Sequence, residues 1–357
     1  MKDLFSRFPN TTAFIGGICL CINFSIFIEM ILWQILGPYD DRGLIRSEPN
    51  GYHSRDATGS ARPSGIGSIR SSLFWEDRQQ FIYDVTYTID EHSRRVTPFA
   101  ASTKFDKFIM FFGGSFTYGE GVKDNQTLPY YTGVAVKKLR PYNYGFHGLG
   151  AAEMLAKLES EKLPREVSER KGVLVYVYMD DHIRRTIGSM RLVATWGKHK
   201  PYYYLSPGGE LKRQGNFVTG RWFLTNLYLL LHESRILRAL RIDFPLQINR
   251  QHIVLLCRII KQSQSLFHKQ FPNSRFYVLI WPGSKYSEQL KQLMAENKIN
   301  YFDYTGLLNV SDPKYVIAPP VEWHPTSLAY QTVATALAED LSLINENEKN
   351  PELSEAR

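Results

Sequence analysis

KFIMFFGGSFTYGEGV, residues 107–122, decides how the chain is read. KFIMFF is apolar without alternation and too short for a core helix, and Gly113 and Gly114 end it. That is the pattern of a strand buried on both faces, which belongs in a parallel sheet covered by helices. Ser115 stands at the strand exit. A serine there can be a nucleophile or a cap on the helix that follows, and the surrounding sequence has to discriminate.

Outward from this stretch, strand and helix patterns alternate. LPYYTGVAVKKL (128–139) has helical spacing, PYNYGF (141–146) reads as a short strand and AAEMLAKLESEKL (151–163) as a helix. GVLVYVYM (172–179) and RFYVLIWP (275–282) are buried strands. SEQLKQLMAENK (287–298) predicts a helix, NYFDYT (300–305) a short strand, and LAYQTVATALAEDLSLI (328–344) a closing amphipathic helix. The fold class is therefore α/β, a parallel sheet flanked by helices in three layers, over residues 101–345. Residues 184–270 lack a buried strand and read as a helical insertion on the sheet's rim, with helices near 222–241 and 246–271 and an aromatic stretch, HKPYYYLSPGGEL. Residues 346–357 read as a charged, disordered tail.

Ahead of this domain lie three further segments. Residues 12–37 are almost wholly apolar and long enough to cross a bilayer. They lack the small-residue cleavage site of a signal peptide, so an uncleaved anchor after an 11-residue leader is expected. Glu29 interrupts it, which places that carboxylate near an interface, in its protonated form, or against a partner helix. The flanking charges give a cytoplasmic N-terminus and an extracytoplasmic main domain as the expected orientation. Residues 38–100 read as a linker followed by a small β-element: 43–72 as an irregular Gly/Ser/Arg/Pro-rich arm, FIYDVTYTI (81–89) as a strand, DEHS as a turn and RRVTP as a return strand.

Bulk properties narrow the partners. The net charge of +8 comes from scattered Lys and Arg, without a basic stripe interleaved with aromatics, so nucleic acid is not expected as a partner. Only Cys257 lies outside the anchor, which excludes a disulfide framework and cysteine zinc sites.

In an open parallel sheet, ligands bind beyond the carboxyl ends of the strands. The exits here read GGSFTYGEG, NYGFHGLG and MDDHIRR, and PPVEWHPTS precedes the closing helix. Together they carry Ser115, glycine amides, Asp180, Asp181, His182, Glu322 and His324, the inventory for nucleophilic acyl transfer. A metal set from Asp180, Asp181, His182 and His324 is the other chemical option, and nothing in the spacing favours it.

In order and spacing these blocks resemble the SGNH, or GDSL-like, hydrolases over about residues 105–343, with Gly114 where that family's first block has Asp. The resemblance implies an SGNH-hydrolase-like, flavodoxin-like fold. It also implies Ser115 as nucleophile, His324 as general base, the amides of Ser115 and Gly148 in an oxyanion hole, and activity on acyl esters of glycans, lipids or small molecules without a cofactor. Asp180 stands at the oxyanion position that normally carries Asn; an ionised carboxylate there would oppose a developing oxyanion, and His182 is an alternative donor. Asp181 and His182 are candidates for substrate contact. Glu322 is the expected triad acid, with Asp180 or Asp181 as alternatives. The expected function is a membrane-anchored esterase or O-acyltransferase of the cell envelope; the rival is an inactive binding or assembly module with the same fold.

Overall fold

A computed structural model describes residues 9–35, 44–50, 52–56, 60–100 and 102–349. At its centre is a sheet of five parallel strands, Lys107–Phe112, Leu139–Asn143, Gly172–Tyr178, Arg275–Ile280 and Asn300–Asp303. Numbered along the chain, they lie in the spatial order 2-1-3-4-5. Successive side chains of a strand point to opposite faces, so each central strand feeds two cores. Phe108, Met110, Phe112, Leu174, Tyr176, Phe276 and Val278 join one, covered by helices Ala151–Glu159, Arg250–Gln270 and Ser287–Glu296. Ile109, Phe111, Val173, Val175, Val177 and Leu279 join the other, covered by Leu128–Ala135 and Ser327–Lys349. Each fully buried side chain of this size contributes roughly 1.5–3 kcal/mol of transfer free energy. This double burial is why the strands are uniformly apolar.

The strand order reverses between the first and third strands, and the crevice that such a switch point opens is where Ser115 emerges.

Several expectations change. Residues 43–72 are not an irregular arm. Leu44–Ser47, Gly67–Trp75 and Gln80–Ile89 form an antiparallel sheet, and His53–Arg55 pairs with Ala61–Pro63. Tyr52, Leu73, Tyr83 and Tyr87 pack with Tyr118 and Phe146 in a third core, so this layer is welded to the strand-exit loops. RRVTP forms only bridges at Arg95, to Ile89 and Asn143, rather than a return strand.

Within 184–270, Pro201–Leu205 and Leu211–Asn216 form a hairpin that the aromatic run concealed. Helix Arg250–Gln270 is no rim insertion: Ile253, Leu256, Ile259, Ile260 and Phe267 are fully buried against the sheet, so it is a crossover helix of one layer. The closing helix runs to Lys349, past the expected boundary at 345; residues 350–357 lie outside the described ones.

The apolar N-terminal helix, Pro9–Ile35, contains a candidate span, Ala13–Ile35, with none of its apolar window buried in the protein. Residues 1–8, 36 and 37 of the expected leader and anchor lie outside the described residues. Glu29 accepts hydrogen bonds from the N–H groups of Arg235 (2.7 Å) and Ile236 (3.2 Å) and from the Ser234 hydroxyl. Of the readings open for it, the structure places it against a helix of the same chain, Arg235–Ala239.

Candidate active site

Ser115 opens a single helical turn, Ser115–Tyr118. Gly113 before it has φ +155, and a Cβ there would stand 2.2 Å from Thr117 Oγ1. Gly114 permits another close approach, since a Cβ at that position would sit 2.5 Å from Arg185 Nη1. That explains why the Asp of the resembled first block is missing: the guanidinium occupies its space.

His324 and Glu322 lie on the short strand Glu322–Pro325. His324 Nε2 is 2.7 Å from Ser115 Oγ. Its Nδ1 is hydrogen-bonded to Glu322 Oε1, which also accepts the His324 backbone N–H at 3.0 Å. Ser115, His324 and Glu322 thus form one continuous hydrogen-bonded chain. Such a chain fixes the imidazole tautomer so that Nε2 can take the serine proton.

A second carboxylate, unanticipated from the sequence, completes the cluster. Glu120 is almost fully buried, with Oε2 3.2 Å from His324 Nε2 and 2.6 Å from His147 Nδ1. Its Oε1 pairs with Arg46 and accepts from Tyr83 OH at 3.3 Å. Arg46 also reaches Glu48 at 3.5 Å and Glu322 at 4.0 Å. The guanidinium is therefore the counter-charge for carboxylates on both sides of His324. A trace of Glu120 was available in the sequence, as a lone carboxylate between two glycines of GYGEG-like spacing just after the serine. Arg46 lies 74 positions away from Glu120, in an arm whose composition reads as linker, and left no trace.

The charges set the protonation states. Burial pushes the Glu120 carboxyl up, but His324, His147 and Arg46 outweigh it and hold Glu120 well below the usual range. Glu322 is likewise lowered: burial opposes ionisation, and the hydrogen bond and charge of His324 overcome it. For His324, burial pulls the pKa down, while Glu120 and Glu322 together raise it above its ordinary value. The imidazolium form is favoured, with one carboxylate at each nitrogen.

Gly148 has φ +72, and a Cβ on it would meet the Trp196 ring at 2.5 Å; its carbonyl accepts from Lys200 Nζ at 2.8 Å. Trp196, from the insertion, is partly exposed and roofs this turn.

Asp180 does not occupy the expected oxyanion position. Its Oδ1 accepts from Tyr178 OH (3.0 Å) and Ser284 Oγ, and its Oδ2 accepts the Lys285 N–H (2.7 Å), so the carboxylate is spent bracing the loop after the fourth strand. Asp181 is largely exposed and 3.8 Å from Arg185. Neither is the partner of His324, which leaves Glu322 as the acid at Nδ1.

His182 is fully buried, which leaves no exposed surface for the substrate contact expected of it. Its Nδ1 is 2.6 Å from Tyr176 OH. Its Nε2 points toward Gly114, 3.3 Å from where a Cβ of that residue would stand, and has no hydrogen-bond partner among the described residues. Burial, followed by Arg185 and Lys200, pushes His182 well below its ordinary pKa, so the ring is neutral.

Asp180, Asp181 and His182 do not gather with His324 as a metal set. Among the described residues the compact group is Glu120, Glu322 and His324, whose ligand atoms lie within 4.8 Å of one another. Two carboxylates and an imidazole suit a divalent cation, but His324 could serve only by releasing Ser115 or Glu322.

Beside the Ser115–His324 pair lies an apolar cavity of about 180 Å³, lined by Phe116, Trp281, Leu308, Val310, Tyr315 and Trp323 among others. The Phe116 ring is 5.4 Å from the His324 ring and 5.5 Å from Trp281.

No protein-family model matches the chain, and no curated protein does. Solved structures similar to it include an acetyl xylan esterase from the rumen bacterium Butyrivibrio proteoclasticus (12% identity, TM-score 0.39, covering 66% of this chain and 64% of that one). Another is a member of the lipolytic protein G-D-S-L family from Veillonella parvula (15% identity, TM-score 0.37, covering 65% and 96%). A third is a salicylyl-acyltransferase from a tetracycline biosynthetic pathway (8% identity, TM-score 0.37, covering 68% and 56%). The chain spans just under two thirds of the acetyl xylan esterase it is matched with. In its strand order and in the succession of its serine, glycine and Glu-x-His blocks, the chain resembles the SGNH, or GDSL-like, hydrolases.

Proposed function

We propose that the protein is a membrane-anchored serine esterase or O-acyltransferase acting on acyl esters of envelope glycans or lipids. The observation that carries this reading is the unbroken chain Ser115 Oγ, His324 Nε2, His324 Nδ1, Glu322. Ser115 Oγ attacks the ester carbonyl while its proton passes to Nε2. The imidazolium so formed is stabilised by Glu322 and Glu120. The carbonyl oxygen, now an anion, accepts from the backbone N–H groups of Ser115 and Gly148. Collapse breaks the ester C–O bond, and the leaving alkoxide takes the proton from Nε2. Water or an acceptor hydroxyl then attacks the acyl-serine, with Nε2 again removing a proton, and Ser115 is regenerated.

Two features bear on the substrate. The 180 Å³ cavity exceeds the roughly 150 Å³ apolar cavity known to hold benzene, so it supports an acyl group larger than acetyl. The exposed face of Trp196 above Gly148 offers a stacking platform on the alcohol side, which supports a sugar there. The apolar span supports action at a membrane.

The test is labelling with a fluorophosphonate probe, which needs an activated serine but no knowledge of the substrate. Stoichiometric modification mapped to Ser115, and lost in Ser115→Ala, is expected. A folded, unlabelled protein would instead favour a binding module.

Glu120 offers a separate check. Because it raises the His324 pKa, the free base exists only above that raised value, and kcat/KM should fall as pH drops through it. In Glu120→Gln the imidazolium loses a partner and the His324 pKa drops. The acid limb of the pH profile should therefore move to lower pH; an unmoved limb would show that Glu120 is not coupled to the base.

A further inference from the structure

We infer that the segment around helix Trp222–His232 is an interfacial docking face that lies in the lipid headgroup boundary beside the N-terminal span, an inference that rests on the anchor reading above. The helix, WFLTNLYLLLH, is apolar nearly all round, yet among its residues only Thr225 is buried. Trp222, Phe223 and Leu230 are each more than 60% exposed, as are Leu240 and Leu246 just beyond it. A helix apolar on all sides belongs in a core or in lipid, and nothing in the protein covers this one. Exposed apolar groups gathered in this way mark an interaction surface.

The position of the span identifies the occupant. Glu29 accepts from the backbone N–H groups of Arg235 and Ile236, and the Arg235 guanidinium lies 5.8 Å from the centre of the Trp33 ring. Glu29 is six residues before Ile35, the last residue of the span, hence about 9 Å along the axis from its end at 1.5 Å per residue. Whatever holds Glu29 must reach that depth. Interfacial helices bury their apolar face about 5–10 Å into the headgroup boundary, which matches. Arg235, Arg238 and Arg241 follow directly in the sequence, and basic residues at that level suit anionic headgroups. The contact also gives Glu29 a structural role: a carboxylate inside the span is satisfied by a helix end that enters the membrane surface with it.

The full chain, with Cys19 and Cys21 replaced by Ser, is reconstituted in vesicles of phosphatidylcholine and phosphatidylglycerol containing lipids spin-labelled near the headgroup end of the acyl chain. An environment-sensitive fluorophore is attached at Phe223→Cys or Leu230→Cys, at Phe24→Cys within the span, or at the exposed hairpin position Lys212→Cys. Blue-shifted emission and loss of fluorescence to the spin label at 223 and 230, with neither at 212, is the expected result. Labels at 223 and 230 that behave like 212 while 24 is quenched would overturn the docking face and leave the anchor standing. An unquenched label at 24 would remove the anchor, and the docking face with it. A blue-shifted label at 223 that lipid does not quench, with crosslinking between chains, would assign the face to a second copy and overturn the proposal.

Discussion

Removing the imidazole of His324 should lower kcat/KM for an activated ester by roughly 10⁵–10⁶-fold, because without a base the serine hydroxyl is a poor nucleophile at neutral pH. His324→Ala tests this, with near-UV circular dichroism to show that the core survives. Folding should be spared, since the ring lies at the rim of the crevice and its loss leaves Ser115 with solvent. Glu322→Gln should cost less, on the order of 10⁴-fold, since it disturbs the tautomer without removing the base. Residues acting as one unit are not additive. The double variant Ser115→Ala/His324→Ala should therefore be no slower than either single one. Activity of His324→Ala within about tenfold of the parent would mean that the 2.7 Å contact is structural and that the reaction, if any, runs elsewhere.

The second large effect concerns the oxyanion. His182→Leu should lower kcat by roughly 10²–10³-fold with KM little changed, the usual consequence of removing one oxyanion donor. The tautomer supports this role. The buried Tyr176 hydroxyl must place its proton somewhere, and His182 Nδ1 is the acceptor beside it. The ring's own proton then sits on Nε2, directed at Gly114 and hence toward the Ser115 backbone. A buried donor left unpaired costs about 1–3 kcal/mol, and a developing oxyanion would repay that by accepting from it. Because the ring is neutral, it donates without adding a second titration to the pH profile. His182→Gln, which keeps a side-chain N–H, should recover part of the rate. A structural role alone would lower thermal stability equally in both variants and spare kcat of the folded fraction, and that outcome would return Asn-like duty to the backbone amides only.

The α/β class, the boundaries of most strands and the positions of Ser115, Gly148, Glu322 and His324 at strand exits were legible in the sequence, for a local reason. Runs such as KFIMFF and GVLVYVY are apolar on both faces only when helices cover both sides of a sheet, and the order of strand exits follows from the alternation. The hairpin at 201–216 and the strands within 44–75 were not legible. Their residues are polar or aromatic on edges with one wet face, so local composition points to loop.

The sequence by itself determined that this chain has a parallel sheet, an apolar span and a serine and a histidine at sheet-edge loops. Tertiary structure alone decided what those groups can do. It brought Arg46 from the N-terminal sheet to Glu120 and placed Glu120 against the base. It turned Asp180 away toward Ser284 and Lys285, and left the Nε2 of His182 unspent beside Gly114. These outcomes depend on contacts between segments far apart in the chain. Each is a competition among charges and hydrogen-bond partners that exists only once the layers have packed.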